Sequence, residues 1–250
     1  MKFNNPIKIS CITTAYDNHP LTKVHVRECM NGSRIPDEII VVNDHGDPCL
    51  KEMLKELDLK TRVVYAYINE DIQWNYTGAR NLGVWLSSGD YIVNEDNDHI
   101  PSKNVYEAFE QCALENPTIE RIVAGKRPRI SLDDALNKPV EEWNIIDMRQ
   151  WHRDTYMMKR SGFLKLKGYD ERFAGAYAWA CADWRRRINR AGIKEVASMA
   201  RYYVIMDEHI TKLVRRKSYR NYELARERDG HTQSPKGILN FSYQFEVLNG

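Results

Sequence analysis

The strongest constraint on how this chain folds lies in its first hundred residues, where short, almost continuously apolar segments alternate with segments of helical periodicity. Residues 7 to 14 (Ile-Lys-Ile-Ser-Cys-Ile-Thr-Thr), Glu38–Val42, Arg62–Tyr67 and 91 to 94 read as strands, and 21 to 31, 49 to 57 and 77 to 88 as helices. Strands that are apolar along their whole length need both faces covered, so this βαβ series predicts an α/β fold with a mostly parallel central sheet flanked by helices. Ligands of such sheets bind beyond the carboxyl ends of the strands. Tyr16, Asp44 and Asp96 each follow such an end.

The rest of the chain is read on the same periodicities. A helix is expected at 102 to 115, a strand at Ile119–Ala124, a helix at 180 to 191 ended by Gly192, and a strand at Arg201–Met206. Residues 126 to 155 show no regular pattern and read as a long functional loop. A basic helix is expected at 211 to 228, then a tail packed on the body. With 250 residues and 42% apolar content, one large domain is the natural reading.

Charge and cysteine usage narrow the partners. A net charge of only +2 gives no strong signal for nucleic acid. Five scattered cysteines with no Cys-x-x-Cys pair read as free thiols in a reducing, cytoplasmic setting. No apolar run reaches the roughly 18 residues a membrane span needs. Peripheral membrane contact through the basic stretch at 212 to 228 stays open.

The chemistry-bearing feature is Asp96-Asn97-Asp98, placed where the strand at 91 to 94 runs out. Two carboxylates at i and i+2 suit a hard divalent cation shared with a phosphorylated ligand. With 17 Asp in the chain, roughly one Asp-x-Asp is expected by chance, so context has to carry the assignment. An EF-hand starting at Asp96 fails, because Ile100 and Pro101 stand where an oxygen ligand and the turn glycine are required.

That context is a series of blocks in a fixed order. The first strand ends in Thr14-Ala15-Tyr16-Asp17, and the second reads Glu38-Ile-Ile-Val-Val-Asn43-Asp44. Gly78-Ala79-Arg80-Asn81-Leu82-Gly83 follows, then Ser88-Gly89-Asp90-Tyr91-Ile92, and later Lys167-Gly168-Tyr169-Asp170-Glu171-Arg172-Phe173. Together they resemble the nucleotide-sugar glycosyltransferases of the GT-A fold, most closely family 2, over about residues 7 to 192.

The resemblance implies a GT-A domain over 1–210, with a nucleotide-sugar half to residue 100 and an acceptor half beyond it. Residues 211–250 would be a C-terminal helix and tail on the same domain. It further implies an inverting, metal-dependent transfer from a nucleoside-diphosphate sugar, UDP-sugar favoured, to a glycan or other hydroxyl-bearing acceptor. Thr14, Tyr16 and Asp44 would hold the base, Arg80 the base or phosphates, and Asp96 the ribose or phosphates. Asp98 would bind the metal, with His209 as a further ligand, and an imidazole beside carboxylate favours Mn2+ with Mg2+ as the alternative. Trp151 and Asp170 are the acceptor-side candidates.

The acceptor-side base departs from the family pattern. Cys181 stands at the usual base position in Ala180-Cys181-Ala182-Asp183, leaving Asp183 as the catalytic candidate. Its alternative role is a helix N-terminal carboxylate paired with Arg186 or Arg187. Two rival functions are a donor-binding protein without transfer activity and a sugar-nucleotide pyrophosphorylase. The latter needs a Gly-rich phosphate loop, and residues 14 to 20 contain no Gly.

Overall fold

The computed structural model describes residues 7–150, 154–205, 218–228, 230–234 and 238–249. The alternating half folds as its pattern requires. Strands β1 (Ile9–Ala15), β2 (Glu38–Asn43), β3 (Arg62–Ile68) and β4 (Tyr91–Asp96) are separated by helices α1 (His19–Met30), α2 (Cys49–Lys55) and α3 (Tyr76–Leu86). β1 pairs in parallel with both β2 and β4, and β2 with β3, so the four strands lie in the order β4-β1-β2-β3.

The sheet grows beyond this core in both directions. On one side come β9 (Tyr156–Lys159), antiparallel to β4, then β6 (Arg121–Val123) and β10 (Glu195–Ala197). On the other side β12 (Tyr243–Val247) pairs antiparallel with β3 and completes an eight-stranded sheet. The expected C-terminal tail is therefore an edge strand. Its pattern, Tyr-Gln-Phe-Glu-Val, leaves most of its side chains half-exposed or exposed, as an edge position permits.

The two faces of the sheet follow the alternation of the pleat. Ile9, Cys11, Ile39, Val41, Tyr91 and Val93 pack beneath α1, α2 and the helix α4 (Val105–Glu115). Ile12, Ile40, Val42 and Ile92 pack beneath α3 and the later helices α6 (Arg160–Lys165) and α7 (Ala180–Arg190). Gly83 is where α3 approaches most closely: a Cβ there would run into the Ile12 side chain. On the α1 face the register places Glu95 where an apolar residue is expected, and its carboxylate is wholly buried beside His25, Cys11 and Cys29.

The stretch read as an irregular loop, 126 to 155, is structured over its described residues. β7 (Arg127–Ile130), helix α5 (Leu132–Asn137), a 3-10 turn and β8 (Asp147–Arg149) lie there. β7 and β8 join β5 (His99–Pro101) and β11 (Tyr202–Ile205) in a second, four-stranded sheet ordered β5-β11-β7-β8. β5, β7 and β8 are only three or four residues long and no periodicity announced them, whereas β11 falls within the strand expected at Arg201–Met206. α5 is legible in retrospect, since Ser131 caps it by accepting the Asp134 N–H. Within the described residues of the basic stretch lies α8 (Tyr219–Glu227), which packs on α7 through Leu224 and Ala225. Lys212, Arg215, Arg216, Lys217 and His209 lie outside the described residues, as does Trp151.

Candidate active site

The carboxyl ends of β1, β2 and β4 converge, and the residues singled out in sequence gather there. Thr14 is the β1 partner of Val42 on one side and of Asp96 on the other. Tyr16 follows directly and is 55% exposed, leaving a ring face available for stacking. Asp44 lies just past β2, tied back by its own N–H to the Ala15 carbonyl at 2.7 Å. The turn behind it needs Gly46, since a Cβ there would enter the Tyr16 carbonyl.

Asp44 is buried, and one carboxylate oxygen accepts the Asn75 amide at 3.1 Å. Burial pushes its carboxyl from the ordinary 3.8 up to about 7, against the pull of the Asn75 hydrogen bond. A carboxylate poised there can accept an N–H from a nucleobase.

Arg80 does not reach into the open cleft. It is buried on α3, and its fork is committed: Nη2 donates to Asp96 at 2.5 Å, and Nη1 to the Tyr169 hydroxyl at 3.1 Å and the Asp154 carbonyl at 3.3 Å. Its guanidinium also lies 5.4 Å from the Tyr76 ring centre. In this arrangement Arg80 fixes the orientation of Asp96.

Asp96, Asp98 and His99 bring three donor atoms within 4.8 Å of one another. The two carboxylates are 34% and 48% exposed at their side chains, so they face the cleft rather than the core. His99, unlike them, is buried. Arg127 donates to its Nε2, which leaves Nδ1–H to donate to the Asp98 carboxylate at 2.7 Å. Asp98 is held in place as Asp96 is, each by a buried cation or imidazole behind it. An oxygen-rich pair with open faces fits a hard divalent cation such as Mn2+ or Mg2+.

The acceptor-side carboxylates behave differently. Asp183 is buried in the first turn of α7, with Arg187 Nε at 2.8 Å and Arg228 Nε at 3.2 Å from its two oxygens. Asp170 is equally buried, bonded to Arg172 at 2.8 Å and to the same Arg228 at 3.1 Å. The arginines beside it hold the Asp170 carboxyl below its ordinary range despite the opposing effect of burial. A base must reach a substrate hydroxyl and accept its proton. Asp183 is enclosed by two guanidinium groups, the Arg187 pairing being the alternative that its sequence position offered. Asp170 likewise anchors α8 to the 3-10 turn at Glu171–Phe173 rather than lining an acceptor cleft.

Cys181 sits nearer the cleft, with its sulfur 2.8 Å from the Tyr76 hydroxyl. Burial, reinforced by the charge of Asp154, pushes the thiol up to about 12, so it stays protonated and takes up no proton. The chain entering α7 is contorted there: Ala178 and Trp179 both adopt positive φ, 79° and 76°. Consecutive left-handed non-glycine residues cost about 1–3 kcal/mol each and concentrate at functional loops.

Several residues of this region escaped the sequence reading. Asp154 precedes β9, its carbonyl bonded to Arg80 and its carboxylate 4.0 Å from Arg185. Trp74 and Tyr177 stand at the mouth with ring centres 5.5 Å apart, both about 40% exposed. His99 had a visible signal, following Asp98 directly. Arg228, 45 residues from the carboxylate it neutralises, had none.

A mixed α/β sheet flanked by helices, with acidic and aromatic groups gathered at the carboxyl ends of its parallel strands, defines a GT-A-type nucleotide-sugar transferase class. The family model described as glycosyl transferase family 2 matches residues 10–178, two-thirds of the chain, and the chain belongs to that family. It is a glycosyltransferase. No curated protein matches it in sequence. Among the described residues no helix is long and apolar enough to cross a membrane.

Proposed function

We propose that this enzyme transfers a sugar from a nucleoside-diphosphate donor, a UDP-sugar before others, to an acceptor hydroxyl with inversion at the anomeric carbon. The observation that carries the reading is the Asp96–Asp98 pair: half-exposed, at the end of β4, each carboxylate fixed from behind, by Arg80 and by His99. Tyr16 would stack on the base while Asp44 accepts its N–H. Asp96 and Asp98 would hold a divalent cation, which supplies Lewis-acid neutralisation of the leaving diphosphate.

Asp154 takes the role of general base in this reading. Its charge, like that of Asp96, is felt at Cys181, the family's usual base position, and its backbone carbonyl holds Arg80. The carboxylate accepts the acceptor proton as the hydroxyl attacks in line with the departing diphosphate. Trp74 and Tyr177 supply ring faces for an acceptor sugar.

The test uses the full chain with UDP-sugars, Mn2+ and a panel of glycan acceptors. Asp154→Asn should lower the transfer rate roughly a hundred- to ten-thousandfold, leaving thermal stabilisation by UDP and Mn2+ intact. Undiminished transfer by Asp154→Asn would remove it from the mechanism. Stabilisation with neither transfer nor donor hydrolysis in the native chain would favour a donor-binding protein instead.

A further inference from the structure

The core beneath α1 contains a second constellation that the transfer chemistry does not use. Cys11 on β1, His25 and Cys29 on α1, and Glu95 on β4 bring four ligand-type atoms within 4.8 Å of one another, and all four residues are buried. From these we infer that Cys11, His25, Cys29 and Glu95 form a structural zinc site, separate from the cleft.

The spacing matches the ion. With Zn–S near 2.3 Å and tetrahedral angles, two thiolates on one zinc stand about 3.8 Å apart. Cys11 and Cys29 have their sulfurs 3.8 Å apart. A sulfur–oxygen edge of the same tetrahedron is about 3.5 Å, and Glu95 Oε2 lies 3.3 Å from Cys11 Sγ and 4.0 Å from Cys29 Sγ. The fourth vertex is His25 Nε2, 2.9 Å from Glu95 Oε2.

The polar bookkeeping points the same way. His25 is wholly buried: its Nε2 lies 2.9 Å from Glu95 Oε2 without hydrogen-bond geometry, and its Nδ1 makes no hydrogen bond. A wholly buried carboxylate and imidazole on a sheet face otherwise built from Ile, Val and Tyr are balanced either by a proton held on the imidazole, 2.9 Å from the carboxylate, or by the charge of a bound cation. A zinc ion supplies it: on binding, the two thiols release their protons to solvent and the four side chains become ligands. Tyr202 donates to Glu95 Oε1 at 2.5 Å, and Tyr106 to Cys29 Sγ at 3.0 Å, which orients the ligands from outside.

Thiolate and imidazole select zinc over the magnesium or manganese that the Asp96–Asp98 pair suits, so two sites of different hardness occur on one strand. Glu95 is the residue before Asp96. A zinc ion would therefore join α1 to β1 and to the end of β4, on the opposite face of the strand from the donor.

The experiment measures metal in the full chain, expressed with zinc and dialysed against EDTA. One tightly held zinc per chain is expected, retained in Asp98→Ala and reduced in Cys29→Ser by more than the roughly 10- to 100-fold typical of losing an outer-shell partner. Refolding the native chain with Co2+ provides a measurement that does not depend on a variant folding, and thiolate-to-cobalt charge transfer should appear. Native chain that retains no zinc both as purified and after refolding with zinc would overturn the inference, leaving a buried imidazolium–carboxylate pair with two thiols. So would a cobalt complex without the charge-transfer band, or metal lost in Asp98→Ala and kept in Cys29→Ser.

Discussion

Asp96 and Asp98 differ from Asp170 and Asp183 in their neighbours, not in their chemistry. The first pair ends a parallel strand, keeps an open face, and is braced from one side by Arg80 and His99. The second pair is buried and bracketed by Arg172, Arg187 and a shared Arg228. A carboxylate whose two oxygens are both bonded to guanidinium groups offers none to a cation or to a substrate hydroxyl. Asp96 and Asp98 therefore stand open at a strand end, whereas Asp170 and Asp183 tie the end of α8 to the 3-10 turn and to α7.

Asp98→Ala would break the contrast most sharply if the donor pair were idle. It should lower sugar transfer by roughly a thousandfold or more while the unfolding midpoint stays near native, read by transfer assay and thermal denaturation. Full activity in that variant, or in excess chelator, would show that the pair holds no catalytic cation. Asp183→Asn probes the other side. Leaving Arg187 and Arg228 without their buried counter-charge should cost about 3–5 kcal/mol of stability, measured by denaturant unfolding. If Asp183→Asn instead keeps its stability and loses only turnover, the division between the halves fails.

Asp44 gives an intermediate effect with a defined sign. Its carboxyl rises from 3.8 to about 7 on folding, so the native state binds the extra proton between those values. Stability linked to this group is present at low pH and declines as pH rises from about 3.8 to about 7, flattening above. Asp44→Asn should remove that decline, and donor affinity in the native enzyme should strengthen as pH passes 7 and the acceptor oxygen becomes charged. Donor binding flat across this range would detach Asp44 from base recognition. The smallest effect is expected at Trp74→Ala, a few-fold rise in acceptor KM with donor binding unchanged, as suits loss of one stacking face of about 0.5–1.5 kcal/mol.

How legible these features were depended on the range of the interaction. Continuous apolar runs at β1 to β4 and the helices between them encode the central sheet locally, because burial on both faces admits few other residues. The short strands β5, β7 and β8 carry no period of their own, since their pairing is set by other segments of the chain, whereas β11 was legible as the apolar run at Arg201–Met206. The donor residues were visible because strand ends are visible. The Arg228 contact of Asp183 was not legible because it comes from a different helix, and the burial of Arg80 was not because residue type alone does not say whether a guanidinium meets a neighbour.

The pairing of β12 with β3 has a consequence for how the molecule is made. β3 is the edge of the parallel core until Tyr243–Val247 arrives, and the register joins residues from opposite ends of the chain, Val64 with Val247. Throughout synthesis the chain carries an unsatisfied strand edge of seven residues, Arg62–Ile68, apolar after its first position. Such an edge is a template for a second chain. The closing strand is made long after β3 and pairs with it across a wide separation in sequence, Val64 with Val247, a slow step for topological reasons. The yield of active enzyme should therefore depend on expression temperature and chain concentration more than its final stability suggests.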